Sequence, residues 1–174
     1  GGVNSSILRS TIQTALNNGT AVTLKANNDI TVKDAVTASS SATGALTLEA
    51  GRNINFNASV NTGNGNLTAI AGAAGHDSAN RDSGDSTITL ASGVKLSAGT
   101  GTINLIADNV GSSIGKFVNN AGATPFTAAV TNIYLPSFTD ATLGGLTTAA
   151  KRYNTLFSAT GPTSTTASLT GLTS

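Results

Sequence analysis

The sequence predicts an all-β fold, a parallel β-helix (β-solenoid) with a short helix before it and a cap after it. Aromatic residues make up 4% of the chain and charged residues 10%, whereas there are 20 Gly among 174 residues. This composition suits short strands joined by many turns. Apolar-polar-apolar triplets recur along the chain, as expected of strands with one buried face. They return about every 20 residues, the period of a solenoid.

Residues 1–20 are predicted to form a short helix that leads into the repeats. Ser10 is a candidate N-cap, Gln13 completes a capping box, and Gly19 suits the C-terminal end. We expect this helix to cover the open edge of the first coil, because an exposed sheet edge favours aggregation.

Residues 21–116 are predicted to contain the coils, since 21–44 and 45–65 have nearly the same pattern of residues. Equivalent residues of stacked coils should form columns. The predicted inward column is Val22, Leu46, Leu67, Ile88 and Ile103. The predicted outward column is Thr23, Thr47, Thr68, Thr89 and Asn104. An antiparallel β-sandwich is the alternative, because it also has short, evenly spaced strands, but the matched columns favour the solenoid.

A polar stretch, GHDSANRDSGD at 75–85, interrupts the repeats and is predicted to be an excursion loop. Binding residues concentrate on loops, so we expect any variable recognition site here. The candidate binding residues are His76, Asp77, Asn80, Arg81, Asp82 and Asp85. Oxygen ligands of this kind bind Ca²⁺, but the spacing is not that of an EF-hand. A solvated polar loop is the simpler interpretation, and no metal or other cofactor is predicted.

The C-terminal part differs in composition, because six of the seven aromatic residues and all three Pro lie at or after 117. Residues 117–158 are therefore predicted to form a cap or transition segment. Within it Lys151, Arg152 and Tyr153 are a second candidate binding cluster, with anchoring of the cap as the alternative role. The Thr/Ser/Gly-rich residues 159–174 read as a linker or as the start of a truncated module.

Charge and composition exclude several classes of function. The net charge is +1 without a basic cluster, so nucleic-acid binding is not expected. No apolar run reaches the roughly 18 residues of a membrane-spanning helix. Cys is absent, and a single His argues against a His-based zinc site or a catalytic triad. Met is also absent and the chain opens GGVNSS, so we expect a piece excised from a longer product.

The phrases LTLEAGRNINFNASVNTGNGNLT and STIQTALNNGTAVTLKANNDITV resemble repeats of filamentous-haemagglutinin-like exoproteins, large adhesins exported by Gram-negative two-partner secretion. The phrase IYLPSFTDATLGGLTTAAKRYNTLF resembles the stretch that ends the β-helical shaft in many of these proteins. The likeness covers roughly residues 8–158. It implies a right-handed parallel β-helix, secreted to the bacterial surface through an outer-membrane partner pore.

The resemblance also implies a non-catalytic role in attachment to host-cell receptors, to polysaccharide or to biofilm matrix, and we expect the fragment to be monomeric. The first alternative is a polysaccharide-active β-helix enzyme, for which Asp29 and Asp34 could approach each other. Acids are scarce, since Glu49 is the sole Glu, so no catalysis is predicted. The second alternative is the stalk of a contact-dependent toxin exoprotein.

Overall fold

The structure is a computed structural model that describes residues 5–75, 77, 79–137 and 141–146, together with the backbone of 156–158 and 161–163. The first element is a helix, α1 (Arg9–Asn17), with Ile12 and Leu16 buried. The predicted capping box does not form, because Leu8 is the N-cap and Gln13 donates to the Thr37 carbonyl at 2.7 Å instead. Gly19 follows the helix with a φ of +73°, as its predicted place at the C-terminal end requires.

All other elements of the described residues are strands, which are short because Gly, Asn, Ser and Asp interrupt the apolar alternation. The strands of the first part are β1 (Val22–Ala26), β2 (Ile30–Val32), β3 (Val36–Thr37), β4 (Leu46–Ala50), β5 (Ile54–Phe56), β6 (Val60–Asn61), β7 (Leu67–Ala71) and β8 (Ser86–Leu90). Those of the second part are β9 (Leu96–Ser97), β10 (Thr102–Ala107), β11 (Gly115–Asn119), β12 (Phe126–Thr127), β13 (Val130–Tyr134), β14 (Ala141–Thr142), β15 (Leu156–Ser158) and β16 (Gly161–Thr163).

Consecutive strands enter three sheets in turn. The first sheet has the order β1-β4-β7-β10-β13, the second β2-β5-β8-β11-β14 and the third β3-β6-β9-β12. Every pairing within these sheets is parallel, and among the strands of the described residues β15 and β16 alone pair in antiparallel fashion. We call each set of three strands a repeat, so that repeat 1 is β1–β3 and repeat 4 is β10–β12. The predicted all-β fold with parallel strands is confirmed.

The inward residues of the three sheets pack into one apolar core. In repeat 2, Leu46, Leu48, Ile54 and Phe56 are at most 2% exposed. Burying such side chains contributes roughly 1.5–3 kcal/mol each. Repeat 1 lacks a strand on its outer side within the described residues, and the inward residues of β1 and β2 are only half-buried. The core is therefore complete in the middle repeats and open at the first.

The inward and the outward column were each predicted with one wrong member. In the first sheet Leu67 pairs with Ile103, whereas Ile88 lies in the second sheet and pairs with Ile54 and Phe117. Thr89 accordingly pairs with Asn55 rather than with the Thr column. The reason is that residues 72–85 are inserted between β7 and β8 of the same repeat. The insertion lengthens repeat 3 until it resembles two repeats in the sequence.

The parallel sheets also continue past the predicted boundary at 117. Phe117 lies inside β11, fully buried, and Phe126 in β12 pairs with Leu96. Tyr134 in β13 pairs with Ile106, and β14 extends the second sheet to Thr142. The aromatic residues changed the composition, whereas β11 keeps the alternation of burial seen in earlier strands, so composition was a poor guide to the boundary. Most of 147–174 lies outside the described residues.

Candidate functional site

Seven of the fourteen charged side chains among the described residues collect at one corner of the repeats. This first corner joins each first-sheet strand to the following second-sheet strand. It comprises 27–29, 51–53, 72–85 and 108–114 in repeats 1 to 4. The predicted recognition loop lies within its third member, which we call the 72–85 loop.

An ion pair between repeats 1 and 2 forms the centre of the first corner. The Arg52 guanidinium donates to both carboxylate oxygens of Asp29, at 2.9 Å from Nε and 2.7 Å from Nη2. The Asn53 backbone amide donates to the same carboxylate at 3.0 Å. The hydrogen bonds from Arg52 lower the pKa of Asp29, with help from Asn53, although partial burial acts in the opposite direction. Asp29 is therefore held in its charged form.

The 72–85 loop packs against this ion pair. Arg52 Nη1 donates to the Ser83 carbonyl at 3.3 Å, and its Nη2 lies 3.7 Å from an Asp82 carboxylate oxygen. The Asn28 side chain accepts from the Asp82 backbone amide at 2.7 Å and donates to the Asn80 carbonyl at 3.4 Å. The loop thus lies back over the corners of the two preceding repeats.

Arg81 fixes the base of the loop. Its guanidinium donates to the Gly51 carbonyl, to the Gly84 carbonyl at 3.1 Å and to Ser86 Oγ at 3.2 Å. It also contacts Ser113 Oγ in repeat 4 at 3.4 Å. Planar guanidinium groups suit several fixed carbonyl acceptors at once. Arg81 is therefore an internal tie in this structure.

Asp85 connects the end of the loop to repeat 4. One carboxylate oxygen accepts from the Ile114 backbone amide at 3.1 Å, and the other lies 2.6 Å from Lys116 Nζ. The hydrogen bond from Lys116, followed by that from Ile114, lowers the pKa of Asp85. Both side chains are more than a third exposed, so this surface pair adds little to stability.

Asp77 and Asn80 form a local turn at the tip of the loop. Asp77 accepts from the Ala79 backbone amide at 3.0 Å and from the Asn80 side chain. The Asn80 amide in turn donates to the Asp77 carbonyl at 3.1 Å. His76 lies outside the described residues. The tip is closed by its own hydrogen bonds, as in other Asx turns.

The predicted candidates therefore divide into two groups. Arg81 and Asp85 are engaged with neighbouring repeats, and Asp82 is held through its backbone, whereas Asp77 and Asn80 stay together at the tip. In the described part of the chain, no three acidic or His side chains come together as metal ligands would. Lys151, Arg152 and Tyr153 lie outside that part, so their role stays a prediction.

Asn28 and Asp29 were not predicted to belong to this site. Arg52 was interpreted only as a charged residue in a turn. A usable signal was present, because Asn28 and Arg52 occupy the same place in successive repeats, 24 residues apart by the register of β1 and β4. Stacked repeats bring such positions together. The partner of Asn28 in the 72–85 loop follows no such spacing.

The outer face of the first sheet offers a regular array of polar groups. Its column contains Thr23, Thr47, Thr68, Asn104 and Asn132. Asn132 donates to Asn104 across the pair at 2.9 Å. Neighbouring strands lie about 4.8 Å apart, so hydroxyl and amide groups repeat at that spacing. Such a face can donate hydrogen bonds to, and accept them from, an extended ligand.

Comparisons of the chain with protein-family models, curated proteins and solved structures found no match. Among the described residues, no helix has the length and apolar character needed to cross a membrane.

Proposed function

We propose that the chain is a segment of a right-handed parallel β-helix in a secreted bacterial surface adhesin, and that it is non-catalytic. One observation carries the proposal: three parallel sheets take one strand from each repeat and share a single apolar core. Roughly 98% of crossovers between parallel strands of one sheet are right-handed. A chain that visits three sheets in rotation with that hand makes a β-helical rod.

The resemblance to filamentous-haemagglutinin-like exoproteins supports the adhesin role. Its two repeat phrases coincide with α1, β1 and β2 and with the stretch from β4 to β7, which are successive layers of the same sheets. Lack of Cys suits export through a two-partner secretion pore, since a disulfide formed in the periplasm would obstruct threading. The proposed location is outside the cell or on its surface.

The proposed mechanism is multivalent attachment along a stiff rod. Outward Thr and Asn side chains recur on the first sheet, and each offers a weak polar contact to a host-cell receptor, a polysaccharide or the biofilm matrix. Several weak contacts made together reach a much higher avidity than one contact. A rod carries these contacts away from the cell surface.

Binding of the chain, coupled to beads, to a glycan array and to cultured epithelial cells tests this proposal. We expect retention on at least one glycan class or on the cells, above that of beads with heat-unfolded chain. Asn104→Ala with Asn132→Ala should weaken it if the first sheet is the binding face. Thr31→Ala with Asn55→Ala, on the outer face of the second sheet, is the matched control. No retention on any arrayed glycan or on cells would contradict the adhesin proposal.

A polysaccharide-active enzyme is the second candidate, because two carboxylates, Asp29 and Asp82, approach the same Arg52 guanidinium. A general acid of a glycosidase needs a raised pKa, whereas that of Asp29 is lowered. Release of reducing ends from soluble polysaccharides, abolished by Asp82→Asn, would favour this candidate over the adhesin. The stalk of a toxin exoprotein would share the rod but would not retain glycans or cells.

A further inference from the structure

Repeat 1 is less well buried and has fewer partner strands than repeat 2. Its inward residues Val22, Leu24 and Ile30 are half-buried, whereas the equivalent Leu46, Leu48 and Ile54 of repeat 2 are at most 2% exposed. Along β1 and β2, the described residues provide a partner strand on one side only. Helix α1 packs on β3 and β1. It therefore covers the side of repeat 1 formed by those two strands. Such an edge repeat is the expected starting point of local unfolding.

The 72–85 loop reaches this edge directly. The Asp82 backbone amide donates to Asn28 Oδ1 at 2.7 Å, and Asn28 Nδ2 donates to the Asn80 carbonyl at 3.4 Å. These bonds join repeat 3 to repeat 1. Since repeats are stacked about 4.8 Å apart, the loop spans the whole thickness of repeat 2 to make them.

Repeat 2 is held beneath the loop. Arg52 bonds to Asp29 of repeat 1 and to the Ser83 carbonyl of the loop, and Arg81 bonds to the Gly51 carbonyl. At its other end the loop is tied to repeat 4, where Asp85 accepts from the Ile114 amide. One insertion therefore contacts all four repeats at the first corner.

In a solenoid each repeat contacts its neighbours only, so stability is a sum of repeats and nearest interfaces, and the ends unfold first. A connection that skips a repeat changes this behaviour. We infer that the 72–85 loop is a strap that couples repeat 1 to repeat 3, so that the edge repeat opens with the rest of the stack rather than alone.

Hydrogen exchange of the full 174-residue chain, resolved by peptide mass spectrometry, tests the strap. In the wild type, we expect the amides of β1 and β2 that donate to β4 and β5 to exchange with protection similar to those of β4 and β5. In Asn28→Ala, which removes both direct bonds to the loop, amides of β1 and β2 should exchange about tenfold faster or more. Amides of β7 and β8 should change less than about twofold.

Arg81→Ala is the second variant, because it releases the base of the loop without touching repeat 1. It should also increase the exchange rate of the amides of β1 and β2 more than that of the amides of β7. Lys95→Ala is the matched control: Lys95 Nζ donates to the Thr124 carbonyl at 2.6 Å, a tie between adjacent repeats only. It should leave β1 and β2 unchanged. If neither loop variant loosens repeat 1 selectively, because exchange is unchanged or because all repeats weaken alike, the strap does not exist.

Discussion

The first corner and the third corner of the repeats differ in how much space surrounds the backbone. The third corner joins a third-sheet strand to the next first-sheet strand, at 38–45, 62–66 and 98–101. Glycines stack there, Gly65 on Gly44 and Gly101 on Gly65, and the segment shortens from repeat to repeat until only 128–129 joins β12 to β13. The first corner ranges from the three residues 27–29 to the long 72–85 loop. Both belong to the same stack, so the difference must arise from the space at each corner.

The third corner has no room for an added side chain. A Cβ on Gly65 would lie 2.0 Å from the Gly44 carbonyl oxygen, and one on Gly101 would lie 2.9 Å from that of Gly65. These positions stack directly, backbone on backbone. At the first corner a Cβ on Gly72, next to β7, would lie 2.5 Å from the Asp108 carbonyl oxygen, but one on Gly75, Gly84 or Gly111 meets nothing within 4 Å. The longest segment between strands of the described residues, 72–85, therefore lies at the corner at which the backbones leave space.

The largest expected effect comes from inserting Gly-Ser-Gly-Ser at each corner. Between Asn64 and Gly65 the insertion should abolish cooperative folding, because it separates the stacked backbones. Between Val110 and Gly111 it should be tolerated, since lengthening an open loop costs only about 0.6 kcal/mol per doubling. Thermal unfolding followed by circular dichroism checks both variants. Equal loss at the two sites would contradict the contrast between the corners.

A single methyl group should show the same contrast on a smaller scale. Gly65→Ala forces two backbones apart, and we expect a loss of about 3 kcal/mol in the free energy of unfolding. Gly75→Ala meets no atoms but has a φ of +86°, so it should cost only about 1 kcal/mol of backbone strain. Urea denaturation measures both. If Gly75→Ala is the more harmful, backbone strain outweighs the close stacking of backbones, and the contrast between the corners does not hold.

Side-chain amides should matter equally at both corners. Asn66 Oδ1 accepts from the Thr102 backbone amide at 2.9 Å beside the third corner, and Asn53 Oδ1 accepts from that of Thr87 at 3.0 Å at the first. Asn66→Ala and Asn53→Ala each leave an amide without its acceptor, at a cost of about 1–2 kcal/mol. Asn66→Asp keeps the oxygen and should lose less. A much larger loss at one corner would mean that these bonds, too, distinguish the corners.

The smallest effect concerns the ion pair of the first corner. The pKa of Asp29 in the folded protein is lower than its ordinary value of 3.8. Its contribution to stability is therefore present above that value and is lost as pH falls through the folded pKa. Asp29→Asn should lower the free energy of unfolding near pH 7 by less than about 1 kcal/mol, because the side chain is 32% exposed and screened.

Urea titrations across the acid range check the ion pair. The difference between wild type and Asp29→Asn should shrink as pH falls below 3.8, since the wild-type carboxylate then becomes neutral as well. A difference that grows on acidification would reverse the sign and exclude the Arg52 bond as its cause.

Alternation was enough to predict the strands and most of their pairing. Val22, Leu46, Leu67 and Ile103 form one column as predicted, because a period of two fixes which face is buried and a repeat near 20 residues brings like positions together. Ile88 was assigned to the wrong sheet because the insertion before it lengthens its repeat until it resembles two repeats in the sequence. The N-terminal helix was predicted, but not its first residue, because Ser10 makes no capping bond.

The position of the loop was predicted, but its contacts with neighbouring repeats were not. The 75–85 stretch was found from its polarity, yet Arg81 and Asp85 are tied to neighbouring repeats and Asn28 is one of the loop's principal contacts. The partners Asn28 and Asp82 are 54 residues apart and share no pattern. The residues near either partner in the sequence do not predict such a contact.

The sequence by itself determined the short strands, the buried face of each strand, the parallel repeats and the position at which they are interrupted. These properties depend on the polarity of adjacent residues and on turn residues, which act over a few positions. Only the tertiary structure decided which sheet received Ile88, how far the sheets continued past 117, and that the inserted loop lies back over Asn28. Those outcomes depend on where the stacked backbones leave room and which polar groups remain to be paired, and both arise only when distant repeats are in contact.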